Sequence, residues 1–93
     1  MKYFTHLSSS NLPKNSLQKE MLAFLEDQSN RLIKDLEDFK TYIKNETEKM
    51  VRGNRRCKPI SVSFYQSIKD TWGLSLSGSD WSVSFYMYKV KED

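Results

Sequence analysis

The sequence predicts an α+β fold in which a long N-terminal helix, bent or broken within its length, precedes a three-stranded antiparallel β-meander. Three observations predict it. Leu22, Leu25, Leu32, Leu36, Phe39, Ile43 and Met50 recur at alternating three- and four-residue steps, interrupted only at Ser29 and Glu46, which is the period of a helical stripe. After Pro59 the period changes to two, that of a half-buried strand. The change falls near Gly53 and Asn54, residues that tolerate the left-handed backbone with which helices end.

With 93 residues the chain is read as one domain, residues 1–93. A chain of this size buries only about 60–65% of its unfolded surface, so its core is thin. Residues 1–14 form an N-terminal segment in which "KYFTHL" reads as a short strand. Pro13 and an N-cap at Asn15 or Ser16 start the helical region, residues 15–52. One helix of that length would run about 55 Å, whereas a compact chain of this size is about 30 Å across. Either the polar stretch "EDQSNR" at residues 26–31 divides it, or the helix projects into a partner. The three-four phase holds across Ser29, which favours one long or slightly bent helix in a self-associated molecule. Met21, Leu22, Phe24 and Leu25 wrap around more than one face and are the expected dimer interface.

Residues 53–59 form a basic loop and residues 60–90 the meander. "ISVSFYQSI" places Ile60, Val62, Phe64 and Ile68 on one face, with Ser61, Ser63, Tyr65 and Ser67 on the other. "TWGLSLS" separates Trp72, Leu74 and Leu76 from Thr71, Gly73, Ser75 and Ser77. "WSVSFYMYKV" separates Trp81, Val83, Phe85 and Met87 from Ser82, Ser84, Tyr86 and Tyr88. Lys69 and Asp70 make the first turn. "SGSD" makes the second, with Gly78 expected at positive φ. The pentapeptide "SVSFY" occurs twice, at residues 61–65 and 82–86, and is read as two strands of one sheet facing the same helix. The expected core joins Val62, Phe64, Trp72, Leu74, Trp81, Val83 and Phe85 to Leu32, Leu36, Phe39 and Ile43.

Hydrophobic residues make up 38% and charged residues 29%, which suits a packed soluble domain and argues against a disordered chain. A single cysteine, Cys57, permits no internal disulfide, and a cytoplasmic location is expected. No apolar run reaches signal-peptide or membrane-spanning length, so no membrane partner is expected. Although net charge is only +3, Lys49, Arg52, Arg55, Arg56 and Lys58 fall in a ten-residue window free of Asp and Glu.

The chemistry-bearing residues are few. His6 is the only histidine, no metal-ligand spacing is present, and neither a glycine-rich phosphate loop nor a nucleophile elbow can be found. Neither cofactor, metal nor catalytic group is expected. The candidate binding residues are Arg52, Arg55, Arg56 and Lys58, which could neutralise phosphates, and Tyr65, Tyr86 and Tyr88, which could stack on bases. Lys49 and Arg52 also complement the negative end of the preceding helix without any ligand. A polar sheet face built of Ser and Tyr in place of Lys and Glu equally suits a protein interface.

The order of elements, a short strand "KYFTHL", a helical region and three consecutive strands, resembles the small ribosome-dependent ribonuclease toxins of the RelE type. That resemblance implies metal-independent RNA cleavage by Arg, Lys, Tyr and His. The residues themselves favour a small non-enzymatic binding or regulatory protein acting through protein contacts, as an inhibitor or accessory factor of a nucleic-acid-handling complex. Direct binding of single-stranded nucleic acid is the third reading.

Overall fold

A computed structural model describes residues 2–12, 14, 16–52 and 61–91. In chain order the elements are β1 (Lys2–Asn11), α1 (Gln18–Asp27), β2 (Leu32–Ile33), α2 (Leu36–Val51), β3 (Ser61–Ile68), β4 (Thr71–Ser77) and β5 (Ser82–Val90). The strands form one antiparallel sheet in the order β2-β1-β5-β4-β3. This corrects the expected architecture in two respects. The three C-terminal strands are part of a five-stranded sheet, and the helical region is two short helices.

The N-terminal strand is the first source of the difference. Its ten residues run through Ser8–Ser10, which look like turn residues in sequence, by means of a bulge between Leu7 and Ser9. Alternation turns Tyr3, Thr5 and Leu7 toward the helices, as shown by their partners Lys89, Met87 and Phe85 on β5. β1 therefore occupies an interior position between β5 and β2.

The helix ends where β1 supplies better partners than a further helical turn would. Thr5 is fully buried, and its hydroxyl donates to the Gln28 carbonyl at 2.8 Å while accepting from the Arg31 amide at 3.1 Å. The Asn30 amide donates to the Thr5 carbonyl at 2.7 Å, and the Thr5 amide donates to the Arg31 carbonyl at 2.8 Å. Ser29 accepts from the Leu7 amide at 2.9 Å. Asn30 takes the left-handed conformation, φ 60°, that ends the helical path. The next two residues then pair with β1 as Leu32↔Phe4 and Ile33↔Tyr3. Leu32 leaves the helical stripe in consequence and is 58% exposed, outside the core expected for it.

α2 begins at Asp35, whose carboxylate accepts from the Asp38 amide at 3.0 Å. Its buried stripe is Phe39, Ile43, Thr47 and Val51, and the Thr47 hydroxyl bonds back to the Ile43 carbonyl at 2.6 Å. α1 contributes Met21 and Leu25. These side chains share one core with Leu12, Leu74, Leu76, Trp81, Val83, Phe85 and Met87. Phe39 meets Phe85 edge-on at 5.6 Å between ring centroids. Both helices thus lie on one face of the sheet, and no helix of the described residues is long and apolar enough to cross a membrane.

Two local expectations also change. A register shift between Gln66 and Ile68 pairs Ile68 with Thr71, which turns Ile68 away from the core face and leaves it 68% exposed. Among the described residues, those at positive φ other than glycine are Asn30 and Asp70, the latter in the two-residue turn that joins β3 to β4. Gly78 is needed for a different reason from the one expected. The Trp81 ring lies where a Cβ on Gly78 would stand, and the Gly78 amide donates to the Trp81 carbonyl at 2.9 Å.

Candidate functional site

The face of the sheet opposite the helices carries a layered pattern set by strand register. Two rows are almost entirely serine: Ser61–Ser77–Ser82–Asn11 and Ser63–Ser75–Ser84–Ser9. The third row is Tyr65–Gly73–Tyr86–His6. The fourth is Ile68–Thr71–Tyr88–Phe4–Leu32. Val90 and Lys2 close the series, and Lys2 is the only Lys, Arg, Asp or Glu among these described residues.

Two of the rows have an internal reason for their composition. In the second, the Ser75 and Ser84 hydroxyls lie 3.1 Å apart, and the Ser8 hydroxyl donates to the Ser84 carbonyl at 3.1 Å. In the third, the Tyr65 ring lies directly over Gly73, where any Cβ would collide with it. Glycine is required there so that an edge tyrosine can lie flat on the sheet. Tyr86 and Tyr88 follow on β5 with ring centroids 6.3 Å apart and planes inclined by 38°.

The exposed apolar surface is concentrated here. Six large hydrophobic side chains are exposed among the described residues: Phe4, Leu32, Tyr42, Tyr65, Ile68 and Tyr88. All but Tyr42, on α2, lie on this open face. Half of the face therefore offers hydroxyls and the other half rings and methyl groups, nearly without charge.

Of the residues singled out in the sequence, Tyr65, Tyr86 and Tyr88 are brought together on this face. Arg52 is not with them. It is exposed at the C-terminal cap of α2, in the helical layer, with its amide donating to the Lys49 carbonyl at 3.3 Å. Arg55, Arg56 and Lys58 lie outside the described residues. Met21 and Leu25 are 1% exposed, so their surface is spent in the core of a single chain. Leu22 and Phe24 are half-buried, and Phe24 packs on Tyr42 with centroids 5.9 Å apart. Phe4, His6, Leu32 and Ile68 join the face without having been among the candidate binding residues. For Phe4 and His6 the signal was present in the alternation of "KYFTHL". For Leu32 and Ile68 the local period pointed the wrong way.

A shallow groove of about 400 Å³ lies in the helical layer beside the chain reversal after α1, lined in part by Gln28, Arg31, Asp35, Asp38, Phe39 and Tyr42. Several of its polar groups serve the fold. Arg31 donates to the Gln28 side chain at 2.9 Å, and Asp35 caps α2.

No protein-family model, no curated protein and no solved structure matches this chain.

The open face can do three things chemically. Its rings can cover or be covered by apolar groups, its hydroxyls can exchange hydrogen bonds with a closely approaching backbone, and His6 can donate or accept a proton.

Proposed function

We propose that the chain is a small binding protein that works through protein contacts, with the open face of the sheet as its working surface. One observation carries this reading: among the described residues, five of the six exposed large hydrophobic side chains lie on a single face that holds one full charge. Concentrated apolar surface marks interaction sites, and depletion of charge marks the centre of protein interfaces. Tyrosine and serine together supply large contact area at low entropy cost and adaptable hydrogen bonding, as in antibody binding loops. The expected partner is therefore a protein surface low in charge, with apolar groups set beside backbone or hydroxyl groups. A nucleic acid would need cations on the same surface to neutralise its phosphates. The basic residues Arg52, Arg55, Arg56 and Lys58 are a reason to look for the partner among nucleic-acid-handling complexes, as an inhibitor or accessory factor.

The test is capture by the immobilised chain, comparing the unaltered protein with Tyr88→Asp on the open face and Lys44→Ala on α2. A partner retained by the unaltered protein and Lys44→Ala, lost with Tyr88→Asp and indifferent to nuclease supports the reading. Release by nuclease, or equal retention by Tyr88→Asp, overturns it.

A second reading draws on the row that sets His6 and Tyr86 side by side next to Tyr65. An imidazole and phenols on one exposed surface are the groups with which a metal-independent ribonuclease of the RelE type would exchange protons with RNA. It predicts RNA cleavage in the presence of a chelator that His6→Ala abolishes. Intact RNA after incubation with the unaltered protein rejects it.

A further inference from the structure

The two edges of the sheet are unlike. β2 closes one edge with only two residues, Leu32 and Ile33. β3 forms the other edge with eight, and among the described residues β4 is its only neighbour. An edge strand normally carries devices that discourage pairing with another chain, such as Lys, Pro or an inward charge. "SVSFYQSI" carries none of these, and its bulge is confined to the C-terminal end, between Gln66 and Ile68.

The repeated pentapeptide shows what such a strand accepts. Its two copies flank β4 in identical register: Ser61 and Ser82 on Ser77, Val62 and Val83 on Leu76, Ser63 and Ser84 on Ser75, Phe64 and Phe85 on Leu74, and Tyr65 and Tyr86 on Gly73. The β5 copy is paired on its far side as well, by β1. The β3 copy has the same residues with no described strand on that far side. Val62 and Phe64 are only half-buried there, whereas Val83 and Phe85 are buried.

We infer that β3 pairs with β3 of a second copy of this chain, antiparallel about a two-fold axis that runs perpendicular to the sheet midway between the two Ser63 residues. The strand is complementary to itself in that register. Val62 stands opposite the other copy's Phe64, an aromatic and β-branched pair of the kind that stabilises sheets, and this pair occurs twice. Ser61 stands opposite Tyr65, and Ser63 opposite itself. The middle serine already faces serine wherever it is paired, in the row Ser63–Ser75–Ser84–Ser9, and the axis carries that row into the second copy. No charge lies within β3 to oppose the approach. Two-fold pairing of this kind keeps both open faces on one side, producing a ten-stranded sheet with one continuous surface of hydroxyls and rings. The inference rests on the edge and not on the use of the open face, so it stands or falls separately from the proposed function.

Light scattering on the full chain across roughly 1–100 μM, where dimers of modest affinity assemble, should give twice the 11.0 kDa chain mass at the upper end. Ser63→Lys, which sets two ammonium groups together at the axis, should return the mass to one chain with the far-UV spectrum unchanged. In a Cys57→Ser background, Ser63→Cys should form a disulfide-linked dimer under mild oxidation, because directly opposed antiparallel residues lie about 4.5–5.5 Å apart at Cα, within disulfide reach. The crosslink decides the matter should Ser63→Lys fail to fold. A single-chain mass throughout, absence of the crosslink, or a dimer that survives Ser63→Lys and is lost instead with Phe24→Asp on α1, overturns the inference.

Discussion

Thr5 and Gln28 lie 23 residues apart in the chain, and the hydroxyl of the first donates to the backbone carbonyl of the second across 2.8 Å in a fully buried position. Around this bond the end of α1, the turn at Ser29 and Asn30, and the start of β2 are fastened to the middle of β1. A helix continuing past Gln28 would leave those β1 groups without these partners.

Replacing Thr5 with valine keeps the shape and removes the hydroxyl. The Gln28 carbonyl then loses a buried partner, at a cost of about 1–3 kcal/mol, and the Arg31 amide, which is only partly buried, loses one as well. Urea denaturation should show this loss for Thr5→Val. Amide exchange should accelerate first at Asn30 and Arg31. A midpoint equal to that of the unaltered protein would mean that the turn is held by other contacts.

Phe85 is fully buried against Phe39, whereas Leu32 stands 58% exposed on the short edge strand. Phe85→Ala should therefore cost about 3–5 kcal/mol. Leu32→Ala should stay within about 0.5 kcal/mol, as surface changes do. Thermal melts of the two variants, measured together, check the assignment. A large loss for Leu32→Ala would restore Leu32 to a helical core stripe.

Gly73 and Tyr65 should behave as a coupled pair. In the unaltered background an alanine at Gly73 displaces the Tyr65 ring, which sits at the free end of its side chain and can swing aside. Once Tyr65 is alanine, Gly73→Ala should become stabilising by about 0.5–1 kcal/mol, the usual gain when glycine leaves a strand interior. A double-mutant cycle reads the change of sign directly. Additive effects would show that the ring does not rest on the glycine.

Asp35→Ala removes the N-terminal side-chain cap of α2 and should cost about 0.5–2 kcal/mol. Asp35→Asn should recover most of that loss, since its side-chain oxygen can still accept from the Asp38 amide. Denaturant midpoints for the two variants separate capping from charge.

What the sequence alone determined were the local faces. Residues 82–88 alternate between apolar and polar, and in the structure Val83, Phe85 and Met87 are buried while Ser82 and Tyr88 are exposed. The stripe through Phe39 and Ile43 similarly needs one apolar neighbour, and a period can be read without knowing which neighbour it is, although its continuation was expected at Met50 and the buried residues there are Thr47 and Val51. The candidate face was legible to the same extent, in Tyr65, Tyr86 and Tyr88. Tertiary structure decided where the helix stops, which strand enters the middle of the sheet and which edges stay open. Each of those outcomes depends on backbone groups finding partners far along the chain, such as Thr5 with Gln28 and Arg31. Three-four spacing continues across Ser29 whether or not the backbone does, because periodicity records which side chains want a common side and contains no term for a distant hydrogen-bond acceptor. Leu32 and Ile68 were misread for that reason. A turn or a one-residue bulge moves a side chain to the other face while leaving the hydrophobic pattern before it unchanged.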